Sequence, residues 1–139
     1  MKQSAPLSKS QFGIYVECMG HKGELYYNLP FIHIIDRSLD GERLLAAIET
    51  AFKAHPALFT RIKVNEDGEP IQTIDMAEEP WSLAIEDITD IEQEKTRLVH
   101  PFDLDGGRLF HINLMRDSEH YYLYIDTHHI IADGTSLLV

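Results

Sequence analysis

From Arg108 to Thr127 the chain alternates. Phe110, Ile112 and Leu114 share one side of an extended backbone, the polar turn Arg116-Asp117-Ser118-Glu119 intervenes, and Tyr121, Leu123, Ile125 and Thr127 share one side of the return. A repeat of two residues fits strands and not helices, so a β-hairpin is predicted here. Its second strand runs directly into Thr127-His128-His129-Ile130-Ile131-Ala132-Asp133-Gly134, an HHxxxDG element. Any fold of this chain therefore carries two imidazoles, a carboxylate and a glycine at a strand end, where the backbone turns and a proton-transfer group is readily exposed.

Upstream, helical and extended patterns take turns. Ser8 and Gln11 have capping-box spacing, and Phe12, Tyr15, Val16 and Met19 follow at helical intervals, which predicts a first helix over 8–20 interrupted by Gly20 and Gly23. The run Leu29–Ile35, apolar and rich in β-branched residues, reads as a buried strand. Asp40 is placed to cap a second helix with the stripe Leu44, Leu45, Ile48, Ala51 and Phe52, ending before Pro56. The turn Asn65-Glu66-Asp67-Gly68 joins short strands near Leu58–Val64 and Pro70–Asp75. Thr89 and Glu92 form a second capping box, opening a polar helix that Pro101 must stop. Interleaved elements predict an α/β (α+β) layered sandwich, one unit over residues 1–139. Thr135-Ser136-Leu137-Leu138-Val139 reads as the start of another capped helix, so a fragment of a longer domain is expected.

The charge narrows the partners. A formal −11, with only 12 Lys and Arg and those scattered, argues against a nucleic-acid backbone and disfavours an anionic membrane surface. No apolar run approaches the ~20 residues of a spanning helix. Cys18 is the sole cysteine and Met1-Lys2-Gln3-Ser4-Ala5-Pro6 lacks a signal peptide's apolar stretch, which points to the cytoplasm.

Successive strand side chains point to opposite faces. If the strand continues to the histidine pair, His128 sides with Asp126 while His129 sides with Thr127 and Ile125, so the two rings cannot share one task. One is expected to be held by hydrogen bonds and the other to face a cleft beyond the strand end. Imidazole suits proton transfer because its ordinary pKa of ~6.5 leaves it largely neutral yet basic in the cell. Gly134 can approach a reacting carbonyl closely and offer its N–H to an oxyanion. Asp133 admits two roles, orienting an imidazole or binding a distant cation and so fixing the loop.

Competing interpretations are plainer. His128 could be a satisfied core histidine and Asp133-Gly134 a turn. A metal site is disfavoured, because adjacent histidines on opposite faces do not converge on one ion. Cys18 sits among helical apolar residues and reads as packing. Ser136 lacks the setting of a nucleophile elbow, and Gly106-Gly107 lacks the Lys-Ser/Thr pair of a phosphate loop. His21, His33, His55, His100, His111 and His120 are scattered singly and read as structural or exposed.

Four stretches together resemble the condensation domains of nonribosomal peptide synthetases, within the chloramphenicol-acetyltransferase-like superfamily that shares an HxxxDG core. Besides the histidine element they are Pro6-Leu7-Ser8-Lys9-Ser10-Gln11 with Ile14-Tyr15, His55-Pro56-Ala57-Leu58 with Thr60, and Pro101-Phe102-Asp103-Leu104 with Gly107 and Leu109-Phe110. They stand in the family's order. Phe59 occupies a position where the family usually has arginine, as do Phe12-Gly13 after the opening glutamine.

The resemblance implies an N-terminal lobe whose C-terminal lobe is absent from residues 1–139. It implies an acyltransferase-type enzyme that joins two aminoacyl or peptidyl thioesters. Donor and acceptor carrier proteins would bring them on phosphopantetheine arms, with no cofactor or metal bound directly. His129 would take or position the amine proton, Gly134 N–H would help hold the oxyanion, and His128 and Asp133 would maintain the loop, Asp133 with a cation from the other lobe. Alternatives are an epimerisation domain, another HxxxDG acyltransferase, or a non-catalytic lobe that only docks carriers.

Overall fold

The structure is a computed structural model and describes residues 2–76 and 81–133. Helix α1 (Lys9–Gly20) starts as the spacing predicts: Ser8 Oγ accepts from Gln11 N–H while Gln11 Oε1 accepts from Ser8 N–H. Helix α2 (Gly41–Lys53) is capped by Asp40, whose carboxylate accepts from Arg43 N–H at 2.9 Å. A 3-10 turn over Pro56–Phe59 leads into strand β3 (Thr60–Val64), which pairs antiparallel with β4 (Pro70–Ile74) across the expected turn. An unexpected strand, β1 (Gln3–Pro6), adds to the other side of β4. All four of its residues are exposed, so no apolar alternation announced it.

The second sheet holds four strands in the order β2 (Phe31–Asp36), β7 (His120–Thr127), β6 (Phe110–Arg116), β5 (Ile85–Asp87). β6 and β7 are the predicted hairpin, in the register Phe110↔Thr127 to Arg116↔Tyr121. β5 runs parallel to β6, and helix α3 (Ile91–Leu98) makes the crossover that parallel neighbours need. Three residues are too few to show a period.

Two details correct the sequence reading. α3 is capped by Asp90, not Thr89: the Asp90 carboxylate accepts from Glu92 N–H, and the Glu92 side chain turns forward to Lys95 instead of back to the cap. β2 is not buried, because it lies at the sheet edge with Ile34 67% exposed. α3 also ends at Leu98, ahead of Pro101, where the His100 ring bonds the Leu98 carbonyl.

The sheet is covered on both faces, giving the expected α/β layering. Ile48 and Phe52 of α2 pack with Trp81 onto Phe110, Ile112 and Ile125; Ile91 and Leu98 of α3 pack onto Met115, Tyr122 and Tyr124. Phe59, at the family's arginine position, lies edge-on to Trp81 and Phe110 within the first cluster. A third cluster joins α1 to β3 and the histidine loop through Ile14, Ile62, Leu109 and Ile130. The start of a helix read over Thr135–Val139 lies outside the described residues, as does Gly134. Among the described residues no helix is long and apolar enough to cross a membrane.

Leu114 is fully enclosed at the centre of the sheet. Leu114→Ala is expected to cost about 3 kcal/mol in urea unfolding, by lost burial plus the cavity it leaves.

Candidate functional site

The two histidines part as strand geometry requires. β7 ends at Thr127, and His128 continues only as an isolated bridge to Asn28, so the segment 27–29 is laid along the strand end. What pins it there is Asp126, which is fully buried. Its Oδ2 accepts from Asn28 Nδ2 at 2.8 Å and from the Tyr124 hydroxyl at 3.1 Å, and its Oδ1 accepts from Leu29 N–H at 3.0 Å. Burial, and then the Asp126 charge, push the Tyr124 hydroxyl above its usual pKa and keep it a donor. Asn28 Nδ2 also donates to His100 O at 3.0 Å, which brings in the chain before Pro101.

His128 is buried in this frame, bordering a cavity of about 260 Å³ with Cys18, Tyr27 and Phe102. Its N–H donates to Leu109 O, and its Nδ1 accepts from Ile130 N–H at 3.0 Å. With Nδ1 an acceptor, the ring proton sits on Nε2, which faces Cys18 Sγ at 3.6 Å. Phe102 stands edge-on to the ring at 5.8 Å and Tyr27 lies tilted against it at 5.9 Å. Burial, and then the neighbouring His129, lower its pKa to about 4, so it stays neutral and structural. Cys18 is half-buried, and burial followed by the Glu17 charge raises its pKa, which keeps the thiol protonated.

His129 is exposed. Its N–H donates to Tyr27 O at 2.8 Å and its ring meets the Tyr27 ring edge-on at 6.1 Å. His129 lines an open cleft of about 300 Å³ with Ser10, Gln11, Ile14, Ile131 and Asp133. Asp133 is exposed at its margin. Gln11 reaches the loop directly, donating from Nε2 to Ile130 O at 3.1 Å. On the sheet face that carries Thr127 a second, more apolar cavity of about 350 Å³ opens among Phe31, Phe52, Leu58, Leu123 and Ile125. Thr127 Oγ1 borders it, buried and without a hydrogen-bond partner among the described residues.

Several supporting residues were not singled out in the sequence. Asp126 carried a signal, a charge inside the apolar run Tyr124–Thr127, but Asn28 and Tyr27 sit in an irregular loop and carried none. The scattered histidines are not all single in space: His111 is sandwiched between His100 at 3.7 Å and Phe102 at 4.2 Å. Burial first, then His100 and Arg108, lower its pKa to about 4. Among the described residues no group of three His, Cys, Asp or Glu side chains could hold a metal ion.

Comparison with known proteins bears on this geometry. A family model described as Condensation domain matches residues 1–139. Tyrocidine synthase 3 of Brevibacillus parabrevis is 32% identical over 136 residues, covering 96% of this chain and 2% of that protein. Gramicidin S synthase 2 of Aneurinibacillus migulanus is 33% identical over 138 residues, covering 96% and 3%. The starter condensation domain of rhizomide synthetase RzmA superposes with a TM-score of 0.80 at 22% identity, over 96% of this chain and 34% of that one. The first condensation domain of the calcium-dependent antibiotic synthetase, solved with a substrate analogue, gives 0.78 at 23% identity, over 97% and 35%. The chain thus spans about a third of the solved domains and a few per cent of the synthetases.

Because the pKa values of His111 and His128 are lowered from 6.5 to about 4, the folded state binds their protons less readily than the unfolded chain. This stabilisation is complete above pH 6.5 and is lost as the pH falls from 6.5 toward 4. The urea midpoint is expected to drop between about pH 7.5 and 5, and His128→Gln to reduce the drop; a midpoint equally pH-dependent in that variant would contradict His128's part.

Proposed function

The chain belongs to the condensation-domain family, and we propose that it is the N-terminal lobe of a domain joining two carrier-bound aminoacyl or peptidyl thioesters through an amide bond. The observation that carries this is the split between the rings: His128 is buried and neutral, while His129, one residue on, is exposed and lines an open cleft. A proton-transfer group must be reachable, and the residue that orients it must not move.

In this reading the acceptor's amine attacks the donor's thioester carbonyl beside His129. The C–N bond forms, the C–S bond breaks to release the donor arm's thiolate, and the amine proton that His129 takes or positions ends on that thiolate as the free thiol. Gly134 contributes its N–H to the oxyanion, and Asp133 holds the loop with a cation from the C-terminal lobe. The phosphopantetheine arms belong to the two carrier substrates. Their thioester ends need an open approach, and the cleft at His129 is bordered by Ile14, Ile131 and Ala132, with Ser10 and Gln11 as its uncharged polar residues and Asp133 as its one carboxylate among the described residues. Thioester-dependent assembly fits a reducing, cytoplasmic setting.

In the complete protein that carries these residues, His129→Ala is expected to abolish amide formation while both carriers stay loaded, as followed by mass spectrometry of the carrier arms. Normal dipeptide formation would reject the assignment, and inversion at the donor's α-carbon without amide formation would assign the site to epimerisation. Residues 1–139 alone are expected to give no turnover, since one wall of a cleft cannot exclude water or orient two arms.

A further inference from the structure

Gln11 and Ile130 are 119 residues apart in sequence and 3.1 Å apart in space. The Gln11 side chain makes four hydrogen bonds. Nε2 donates to Ile130 O at 3.1 Å and to Gln72 Oε1 at 3.1 Å, while Oε1 accepts from Ser8 N–H at 2.9 Å and from Gln72 Nε2 at 3.3 Å. These partners fix which way the amide points, because Ser8 N–H can only donate and Ile130 O can only accept. Gln72 is itself anchored, donating to Pro6 O at 3.1 Å.

Capping α1 uses only the acceptor half of this amide. A glutamate would cap equally well and would suit the positive end of the helix dipole better. The donor half has no role in the cap, and it is aimed at the histidine loop. Ile130 follows His129 directly, and its two backbone groups are held from opposite sides: its N–H by His128 Nδ1 and its carbonyl by Gln11. Gln11 and His129 also line the same cleft.

We propose that Gln11 is a positioning residue, whose Nε2–H holds Ile130 O and thereby sets the direction of the His129 ring in the cleft. The inference rests on the reading of His129 as the group that handles the amine proton. Gln11 acts through the backbone of the loop and needs no contact with substrate.

The test separates capping from positioning. In the complete protein with loaded carriers, Gln11→Glu keeps the acceptor for Ser8 N–H and sets a second carboxylate oxygen against Ile130 O, two acceptors face to face. It is expected to lower kcat about tenfold or more with KM for the acceptor within about twofold, measured well below its melting temperature. Ser8→Ala removes the hydroxyl cap and leaves the Gln11 donor in place; it is expected to lower the melting temperature with kcat within about twofold. The His129 ring signals in ¹³C-histidine-labelled protein should move in Gln11→Glu and stay in Ser8→Ala.

Wild-type kcat with unmoved His129 signals in Gln11→Glu overturns the proposal, as does an equal loss of kcat in Ser8→Ala. If Gln11→Glu proves unstable, Gln11→Met removes the donor without adding charge. Its kcat, measured well below its melting temperature, then decides by the same criterion. A wild-type protein that forms no amide would refute the function reading instead, and the ring signals would still decide the role of Gln11.

Discussion

Everything around the histidine pair depends on one buried carboxylate. Asp126 is removed from water, which would cost several kcal/mol if it were left unpaired. It is instead met by three donors, two of them from the loop at 28–29. The loop therefore cannot lift away without stranding a charge, and removing a single partner costs about 1–3 kcal/mol. Once the loop is in place, Tyr27 O receives His129 N–H and Asn28 bridges to His128. The backbone frame that carries both rings thus rests on a residue that lines neither the cleft at His129 nor the apolar cavity.

The four stretches that carry the family resemblance meet at this point in space. The opening stretch sends Gln11 to Ile130 O. The second supplies His55 and Leu58 beside Thr127, at the apolar cavity. The third supplies Phe102, which faces the His128 ring edge-on and stacks on His111. Their order in the chain shows nothing of this convergence, since each is a separate element of helix, turn or loop. The loop is fixed by hydrogen bonds to Asp126 and Gln11, and the His128 ring by the Ile130 N–H together with the flanking rings of Tyr27 and Phe102.

Legibility in the sequence followed the length of the repeating pattern. The hairpin β6–β7 and helix α2 could be read because period and cap agree over many residues, whereas α1 was legible by its Ser8 cap alone: its packed face runs through Ile14, Tyr15, Cys18 and Met19, with Phe12 and Val16 of the expected stripe half exposed. β1 and β5 were silent, one fully exposed and the other three residues long. β2 misled, because an apolar run reads the same whether or not a neighbour lies beyond it, and here the strand is an edge. At Thr89-Asp90 two adjacent residues could cap, and the geometry chose the one whose partner's side chain was free to turn to Lys95. In the site, strict alternation sufficed to separate His128 from His129. The contacts that hold them could not be read, because hydrogen bonds between residues about a hundred positions apart leave no mark on a local pattern.

That separation governs how the domain comes into being. β2, at residues 31–36, has β7, near residue 125, as its one strand neighbour among the described residues. At translation speeds of about 5–20 residues per second, an emerging β2 waits roughly 5–20 seconds for its partner. During that interval its backbone groups and Ile34 face solvent, an edge open to the wrong neighbour. The histidine loop follows β7 in the chain, so synthesis that stops short of β7 leaves a sticky strand and no histidine loop.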